Sequence, residues 1–481
     1  MSVKRLSELL RRPLAEDPLI SGVTADSRKV GPGSVFFALP GLTADGRQFI
    51  PTAVEKGAVA VVAPLDTPAA SVPTIAVHDP RRAYALAAGA FWGEGPETVV
   101  AVTGTNGKTS VATFCRQIFT HLGRKAASLG TLGLQLADRD LTGPGLTTPD
   151  AEAVARMAAE LRAMGVTHLA LEASSHGLDQ RRLDSLTLKA GGFTNLTQDH
   201  LDYHRDMASY QAAKLRLFDE LLQPGATAVL NADSPAYASF AAAAVTRGES
   251  VISVGEEGQG IRLVSRTPEP YGQQMVLELA GRRFDVRLPL AGAFQASNVL
   301  VAAGLCLAAG EDPAGVIEAL GELKGAPGRL QRVGAGAKGG EAYVDYAHTP
   351  DGLETVLKAL RPHVKGRLIV VFGAGGDRDK AKRPLMGRAA ANLADLAIVT
   401  DDNPRSEDPA DIRRMVLDGA PGAREIGDRR EAIQTAAALL RDGDILVVAG
   451  KGHEQGQTIK GMVHPFDDVA ETAQALGGVH A

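Results

Sequence analysis

The sequence is poor in cysteine, in aromatic residues and in long apolar runs. Its 481 residues include only 2 cysteines, 1 tryptophan and 4% aromatic residues in all. Cys115 and Cys306 lie in apolar stretches, which indicates core residues in a reducing compartment rather than a secreted disulfide scaffold. No run reaches the roughly 18 apolar residues of a membrane span, and residues 1–6 lack the apolar segment of a secretory signal. We therefore expect a cytoplasmic protein that is not inserted in a membrane.

An excess of positive charge is also missing. The formal net charge is −5, and basic residues are scattered rather than clustered in a tail. Nucleic acid is therefore not an expected partner. Hydrophobic residues make up 44% and charged residues 22%, both ordinary for a globular protein, and the length calls for several domains.

Strand-like apolar runs alternate with Ala/Leu-rich helical segments along most of the chain, which predicts an α/β fold with largely parallel sheets. Gly/Pro-rich segments at 93–96 and 325–328 divide it. We predict a small N-terminal α/β domain at 1–95, a central domain with a mostly parallel sheet at 96–326, and a Rossmann-like C-terminal domain at 327–481. A more β-rich insertion is expected at about 250–291.

A phosphate-binding loop is predicted at residues 103–110 (TGTNGKTS), between a buried strand and a helix. Backbone N–H groups and the helix N-terminus attract anionic oxygen, Lys108 can reach a β/γ-phosphate, and Thr109 can ligate Mg²⁺. The first glycine of the full Walker pattern would fall at Val102, so the motif is a shortened one. The alternative is an ordinary glycine-rich turn.

Two further segments carry potential ligands of a metal. Glu172 ends an apolar run, where a carboxylate could bind Mg²⁺, although a helix cap or a salt bridge is an equal alternative. Residues 195–204 hold two histidines and two aspartates, His200 among them, within a short polar stretch. A single histidine there would usually be structural, whereas the group favours a site.

Three loops after C-terminal strands suit a zwitterionic ligand. In residues 401–405 (DDNPR), Asp402 could take an ammonium and Arg405 a carboxylate, although a Pro-terminated turn with exposed charges is as plausible unaided. The loop at 373–383 adds backbone donors and cations, and residues 450–454 (GKGHE) add a carboxylate. Three such loops in one domain favour a binding site.

Taken in order, these motifs resemble the Mur ligase family, the ATP-dependent amide-forming enzymes of peptidoglycan precursor synthesis, over nearly the whole chain. The resemblance implies that residues 103–110 are the family's shortened phosphate loop and that residues 345–350 (DYAHTP) open the third domain. At Gln295 the family more often has asparagine. The ATP-binding residues so implied are Gly104, Thr105, Asn106, Gly107, Lys108, Thr109, Ser110, Asn298, Arg329 and Asp345.

Within the family, residues 402–405 resemble the motif that distinguishes diaminopimelate-adding from lysine-adding members. The implied reaction joins meso-2,6-diaminopimelate to the D-glutamyl γ-carboxylate of UDP-N-acetylmuramoyl-L-alanyl-D-glutamate. The implied diaminopimelate-binding residues are Arg378, Asp402, Asn403, Pro404, Arg405, Gly450 and Glu454. The N-terminal domain would bind the UDP-sugar through residues 26–28 and 41–47, and the substrate-binding residues implied are Ser27, Thr147, Thr148, Ser174, Gln180 and Arg182. Their alternative is ordinary turn and cap chemistry.

Lys214 depends most on the resemblance, since its sequence context alone indicates an exposed helix lysine. The family's matching lysine is carbamylated, which would make it a ligand of Mg²⁺ with Thr109, Glu172 and His200. The implied catalytic residues are Lys108, Lys214, His200 and His348, the last two as candidate general bases. We expect a monomer. The alternatives are a lysine-adding ligase, a folylpolyglutamate synthase and a non-catalytic nucleotide-binding homologue.

Overall fold

The computed structural model describes residues 3–41, 44–143 and 145–477, apart from the side chains of residues 201 and 202. The chain forms two compact units, residues 1–262 with 300–316 and residues 263–299 with 317–481, and each is described by itself below. The predicted loop at 41–47 lies partly outside the described residues, because Leu42 and Thr43 are not among them. Within the described ranges, no helix is long and apolar enough to cross a membrane.

The N-terminal part of the first unit is a small parallel sheet flanked by helices. Strands β3, β4, β5 and β6 pair in that order, all parallel, and β1 pairs with β2 antiparallel. Ala151 and Ala155, on the helix at 151–163, pack into the same core as Tyr84 and Phe91, so this sheet packs against that helix. The bounds are β1 Lys4–Arg5, α1 Leu6–Leu10, β2 Leu19–Ile20, β3 Gly22–Thr24, β4 Ser34–Phe37, a 3₁₀ turn Gly46–Phe49, α2 Ile50–Glu55, β5 Ala58–Pro64, β6 Thr74–Val77 and α3 Pro80–Trp92.

The rest of the first unit is built on a larger, mostly parallel sheet. Its bounds are β7 Thr98–Thr103, α4 Lys108–His121, β8 Ala126–Gly130, β9 Gly133–Leu136, α5 Ala151–Ala163, β10 His168–Glu172, α6 Ser175–Asp179, β11 Ala190–Phe193, α7 Leu201–His204, α8 Met207–Arg216, a π turn Leu217–Leu221, β12 Thr227–Asn231, α9 Tyr237–Thr246 and β13 Ser250–Gly255. The order is β13-β12-β11-β7-β10-β8-β9, and only β9 runs antiparallel.

Strand β7 lies at the point where this sheet's connections diverge. The chain leaves β7 through α4 towards β8 on one side, and β11 lies on the other. Glu172 pairs with Val102 and Phe193 with Thr103, so the carboxyl ends of β10, β7 and β11 are level. Ligands of open α/β sheets bind at such a switch point, and this geometry brings the predicted phosphate loop and Glu172 together.

The second unit contains a six-stranded sheet of order β17-β18-β22-β19-β20-β21, parallel except for β17. The antiparallel pair β15–β16 confirms the predicted β-rich insertion. Three elements have residues in both units: β14 Ile261–Glu269, α10 Ala293–Ala308 and α11 Pro313–Ala319. The other bounds are β15 Gly272–Leu279, β16 Arg282–Leu288, a 3₁₀ helix Leu320–Glu322, β17 Gln331–Ala335, β18 Glu341–Asp345, α12 Pro350–Leu360, a 3₁₀ helix Arg361–His363, β19 Leu368–Phe372, α13 Lys382–Leu393, β20 Leu396–Val399, α14 Pro409–Leu417, β21 Arg424–Glu425, α15 Arg429–Ala438, β22 Ile445–Ala449, β23 Gly456–Ile459, β24 Met462–Pro465 and α16 Asp468–Ala475.

Candidate active site

The phosphate loop has the predicted form, with glycine where the backbone requires it. Gly104 has a φ of +148°, and a Cβ there would lie 1.9 Å from the hydroxyl of Thr194. Gly107 precedes α4 with a φ of +88°, in the left-handed region that glycine adopts most readily. These two residues let the chain turn from β7 into α4 with its N-terminus at the sheet's carboxyl edge, which is an anion-binding arrangement.

Polar contacts hold this loop against the next strand. Lys108 Nζ donates to the carbonyls of Gly104 at 2.8 Å and Thr105 at 2.7 Å. The Asn106 N–H donates to Asn195 Oδ1 at 3.0 Å, and the Thr194 hydroxyl donates to the Asn106 carbonyl at 2.6 Å. The side chains of Thr109 and Ser110 are buried on α4. The loop is therefore held in shape by its own lysine and by the residues after β11.

Glu172 is buried at the tip of β10, next to this loop. Its Oε2 accepts a hydrogen bond from the Thr109 hydroxyl at 3.0 Å, and its Oε1 accepts one from the Thr131 N–H at 2.8 Å. A Cβ on Gly130 would lie 2.0 Å from Oε1, so the carboxylate occupies space that only glycine leaves open. Thr109 and Glu172, two of the predicted metal ligands, are thus in direct contact.

Lys214 is buried, so the interpretation as an exposed helix lysine is wrong. Only 1% of its surface is accessible, and Nζ donates to the Gly104 carbonyl at 2.7 Å. Nζ also lies 4.4 Å from the centre of the Tyr210 ring, one helical turn earlier on α8. Burial, reinforced by the nearby charge of Lys108, lowers the pKa of Lys214 well below its usual range. Its surroundings therefore disfavour the charged form of this amine beside the phosphate loop.

His200 belongs to a cluster of aromatic and imidazole rings around α7 and α8. Its ring lies 5.0 Å from that of His176 and 6.1 Å from that of Tyr210, and Tyr210 in turn is 3.2 Å from the hydroxyl of Thr105. His200 itself has a φ of +53°, a conformation that few residues other than glycine adopt. Tyr210, which sequence reasoning did not single out, therefore connects Lys214, His200 and the phosphate loop.

The donor set suits a hard cation. Among the described residues, no three carboxylate, imidazole or thiolate groups converge as a self-sufficient metal site. The Glu172 carboxylate and the Thr109 hydroxyl are oxygen donors at one point of the phosphate loop. Mg²⁺ prefers such ligands and commonly takes the rest of its shell from phosphate and water. The residues present thus fit magnesium bound together with a nucleotide, rather than a permanent protein-only site.

Four of the six residues predicted to bind the UDP-linked substrate form one hydrogen-bonded chain next to Glu172, and a fifth, Thr147, reaches Glu172 through Thr131. The Thr148 hydroxyl is 2.8 Å from the Glu172 carbonyl and 2.9 Å from the Ser174 hydroxyl, and the Arg182 guanidinium is 2.5 Å from the Thr148 carbonyl. The remaining contacts are Thr147 with Thr131 at 3.0 Å, Arg182 with Gln180 at 2.7 Å and Gln180 with Tyr203 at 3.1 Å. Ser27 lies in the N-terminal sheet domain, where its carbonyl accepts from Lys56 at 3.1 Å.

The remaining candidates for ATP binding lie in the second unit and are also linked. Asp345 ends β18, where its carboxylate accepts from the N–H groups of Leu330 at 2.6 Å and Ala347 at 2.8 Å. Arg329 lies over the Tyr346 ring at 4.6 Å. Gln295 donates to the Arg329 carbonyl at 3.1 Å and accepts from Asn298 at 3.4 Å. Gln295, where the family more often has asparagine, thus binds the backbone at Arg329.

His348 follows β18 in the same loop. Its Nδ1 lies 2.8 Å from the Tyr346 carbonyl, which assigns the proton to Nδ1 and leaves Nε2 as the basic nitrogen. Lys382 donates to the His348 carbonyl at 3.0 Å. Burial lowers the pKa of His348, and in the neutral ring Nε2 is the nitrogen that can accept a proton.

Asp402 is buried rather than solvent-exposed, contrary to the simple-turn alternative. Its residue is 7% accessible, and its Oδ2 has no hydrogen-bond partner within the described part of the chain. Gly450, which directly follows β22, has a φ of +123°, and a Cβ on it would lie 2.5 Å from that oxygen. A buried, unpaired carboxylate oxygen beside a glycine is a position where a ligand's donor is expected.

Asn403 and Glu454 both contact a third residue, Lys451, which lies in the predicted loop 450–454 but was not among the predicted binding residues. Lys451 Nζ lies 3.1 Å from Asn403 Oδ1 and 3.2 Å from Glu454 Oε2, and Asn403 Nδ2 donates to the same Glu454 oxygen at 2.9 Å. The sequence signal that could have found it is a lysine between two glycines at the carboxyl end of a buried strand. The Asn403 amide, the Lys451 ammonium and the Glu454 carboxylate therefore join the loop after β20 to the loop after β22.

Arg405, Pro404 and Arg378 occupy the loops after β20 and β19. Arg405 has a φ of +54° and donates from Nη1 to the Gly376 carbonyl at 2.6 Å. The Pro404 carbonyl approaches Gly376 so closely that a Cβ there would be 1.9 Å away. The Arg378 side chain is exposed on the Gly376 loop. All seven predicted amino-acid-binding residues thus follow strands β19, β20 and β22, which are neighbours in the sheet.

Comparison with known proteins agrees with this arrangement. Residues 19–92 match the Mur ligase family catalytic domain, residues 102–306 the Mur ligase middle domain, and residues 328–452 the Mur ligase glutamate ligase domain. The chain belongs to the Mur ligase family. It is therefore an enzyme, an ATP-dependent ligase of peptidoglycan precursor synthesis, with the α/β fold predicted from its sequence.

Among the similar proteins are members of the family that add diaminopimelate. The chain is 69% identical to the UDP-N-acetylmuramoyl-L-alanyl-D-glutamate–2,6-diaminopimelate ligase of Caulobacter vibrioides, over 99% of this chain and 100% of the relative. A solved structure of a ligase of the same name is 33% identical, with a TM-score of 0.76 and 99% of each chain covered. MurF ligase from Thermotoga maritima in complex with ADP shares the fold, with a TM-score of 0.61 at 19% identity over 94% of this chain and 96% of the other.

Proposed function

We propose that this enzyme joins meso-2,6-diaminopimelate to the γ-carboxylate of the D-glutamyl residue of UDP-N-acetylmuramoyl-L-alanyl-D-glutamate, with ATP converted to ADP and phosphate. The observation that carries the substrate assignment is the Oδ2 atom of Asp402, which is buried beside Gly450 and has no hydrogen-bond partner in the described part of the chain. Asp402 lies in the same loop as Arg405. Diaminopimelate has an amino-acid head at each end. Its distal carboxylate needs a cation that lysine would not need, and Arg405 and Arg378 supply one while Asp402 and Glu454 receive the ammonium.

A carboxylate does not condense with an amine in water, because hydroxide is a poor leaving group. In the proposed first step, the D-glutamyl γ-carboxylate attacks the γ-phosphorus of ATP, ADP leaves, and an acyl phosphate forms. The N-terminus of α4 and Lys108 bind the phosphoryl oxygens, whose charge they neutralise. Lys108 exchanges its bonds to the Gly104 and Thr105 carbonyls for phosphate oxygen.

In the second step, the amine at the L-centre of diaminopimelate attacks the acyl carbon, and phosphate leaves from the tetrahedral intermediate. The amine must lose its proton, so a base is required. His200 and His348 are the candidates, and His348 is supported by its available Nε2. Asn298, Arg329 and Asp345 are assigned to the nucleotide from their match to the family's motifs. Their contacts support this grouping, because Gln295 links Asn298 to the Arg329 carbonyl and Asp345 binds the N–H of the next residue, Leu330.

Magnesium would be held by Thr109, Glu172, His200 and a modified Lys214. When bound, it would offset the negative charge of the phosphoryl oxygens during transfer. Carbamylation of Lys214 is part of this proposal: the neutral amine adds to CO₂, loses a proton and becomes an anion. The burial of Lys214 and its lowered pKa support this, because only the neutral amine is nucleophilic.

We assign UDP-sugar binding to residues 1–95, ATP binding to residues 96–326 and amino-acid binding to residues 327–481. The three separate family matches support this division. Ser27, Thr147, Thr148, Ser174, Gln180 and Arg182 are assigned to the UDP-linked substrate. The buried free thiols of Cys115 and Cys306 support a cytoplasmic location. That the enzyme acts as a monomer is a further prediction, which light scattering would check.

The proposal is tested by phosphate release in an omission series. With ATP present, release should require both meso-diaminopimelate and the UDP-linked dipeptide, and it should stop when either is left out. Release from ATP alone would favour a nucleotide-hydrolysing homologue, and the absence of release with all substrates would favour a non-catalytic one. A requirement for a folate in place of the UDP-linked dipeptide would favour the folylpolyglutamate synthase alternative.

A further inference from the structure

Lys451 is a fully buried cation at the amino-acid-binding end of the C-terminal sheet. Its side chain is 0% exposed, in the turn that directly follows β22. Removing an ammonium from water costs several kcal/mol unless hydrogen bonds and an opposite charge compensate it. The groups that bind the Lys451 ammonium must therefore compensate for its burial, and their identity indicates the role of the residue.

The partners are two residues already assigned to the bound amino acid. Nζ lies 3.1 Å from Asn403 Oδ1 and 3.2 Å from Glu454 Oε2. Asn403 Nδ2 lies 2.9 Å from the same Oε2. An ammonium and an amide thus bind one oxygen of the Glu454 carboxylate from two directions. These two contacts hold the Glu454 carboxylate in place through a single oxygen.

Lys451 also lies where three loops are joined. Asn403 Oδ1 accepts, besides Lys451, the Thr458 N–H at 2.9 Å, and Gln457 donates to the Asp402 carbonyl at 2.7 Å. The Arg405 N–H donates to the Thr458 carbonyl at 3.0 Å. The segment after β20, the segment after β22 and strand β23 therefore meet at the Asn403 amide that Lys451 binds.

We propose that Lys451 is a positioning residue for the distal ammonium of the amino-acid substrate. It fixes Glu454 and Asn403 so that Glu454 Oε1 and Asp402 Oδ2 can receive that ammonium together. Its positive charge also offsets the repulsion between the carboxylates of Asp402 and Glu454, which the substrate would otherwise have to overcome. This inference rests on the proposed function, because it takes diaminopimelate as the ligand.

Steady-state kinetics of Lys451→Met tests this role. We expect KM for diaminopimelate to rise by about tenfold or more, the usual scale of a lost charge-assisted contact, with kcat and KM for ATP within about twofold of wild type. Lys451→Gln keeps a donor but not the charge and should give a smaller rise, and it replaces Lys451→Met if that variant does not fold. Arg367→Met is the matched control: it breaks an ion pair with Asp444 ahead of β19, at the other end of the same sheet, and should leave both KM values unchanged.

A double-mutant cycle with Glu454→Gln separates positioning from general stability. If Lys451 acts through Glu454, the two substitutions together should raise KM little more than the larger single effect. An unchanged KM in Lys451→Met, additive effects in the cycle, or an equal rise in Arg367→Met would overturn the inference. The crystal structure of Lys451→Met provides a readout that does not depend on turnover: Glu454 should leave Asn403, and an undisturbed Asn403–Glu454 bond also overturns it. Failure of the wild-type enzyme to use diaminopimelate would instead overturn the proposed function.

Discussion

Substituting alanine for Gly450 tests the amino-acid site most locally. The added Cβ would lie 2.5 Å from Asp402 Oδ2, well inside van der Waals contact, and 3.7 Å from Arg429 Nη2. Arg429 is held in place by a buried pair with Asp468 at 2.6 Å, and it also donates to the Ala449 carbonyl at 3.0 Å. The contact therefore has to be relieved by Asp402, away from the position that we assign to the ligand's ammonium.

The magnitude follows from the contact that is lost. A hydrogen bond to a charged group contributes about 1.5–3 kcal/mol, which corresponds to a rise of about 10- to 150-fold in KM for diaminopimelate. KM for ATP should stay within about twofold, because the phosphate loop is a separate structure. The φ of +123° also disfavours alanine, so the thermal midpoint should fall through backbone strain of about 1–3 kcal/mol.

Gly461→Ala separates the strain from the contact. Gly461 also has a positive φ, +79°, but no atom lies within 4 Å of the Cβ position. This variant should lose stability and keep both KM values. The reasoning is refuted if Gly450→Ala folds and binds diaminopimelate as wild type does, or if Gly461→Ala raises the same KM to a similar extent.

Three further predictions concern other parts of the site. Gly130→Ala places a Cβ 2.0 Å from Glu172 Oε1 and should lower kcat by about a hundredfold, the usual effect of moving a catalytic group by about 1 Å. Gly123→Ala is the control, because its Cβ position is open, and it should leave kcat unchanged. Equal kcat values in the two variants would contradict the role of Glu172. Arg405→Ala should raise KM for diaminopimelate while sparing KM for ATP, and a parallel rise in both would indicate a folding defect instead. Burial lowers the pKa of His453 to about 4, so its ring stays neutral in the folded state while the unfolded chain takes up a proton; the stability it contributes is complete above its ordinary pKa and is lost as pH falls towards 4. Because the ring is partly exposed, His453→Asn should reduce the fall in urea midpoint between about pH 7 and about pH 5 by the equivalent of only about 1 kcal/mol, and an unchanged pH profile would contradict the effect.

The fold was largely predictable because its strands are short apolar runs that end in polar loops. Strands β19 and β22, for example, are the apolar runs LIVVF at 368–372 and ILVVA at 445–449. The phosphate loop was predictable for a related reason: Gly104 and Gly107 are turn positions with positive φ, and a Cβ on Gly104 would clash with Thr194. In each case the signal is local, within about ten residues of chain.

The environment of Lys214 was not predictable from its own helix. Tyr210 lies on the same helix, but the carbonyl that Lys214 binds belongs to Gly104, which only the folded sheet brings next to α8. Lys451 is similar, because its partner Asn403 is far away in sequence. Both lysines became assignable only when distant loops were placed side by side. In such positions, resemblance to a family or a three-dimensional structure is needed.

The central claim is that Arg405, Arg378 and Asp402 select an amino acid whose distal end carries both an ammonium and a carboxylate. It is tested most directly by competition between meso-2,6-diaminopimelate and L-lysine for the UDP-linked dipeptide, with the products separated and identified by mass spectrometry. We expect the diaminopimelate adduct to dominate when the two amino acids are present at equal concentration, and Arg405→Ala to reduce that preference. Equal incorporation of lysine by the wild-type enzyme would contradict the account.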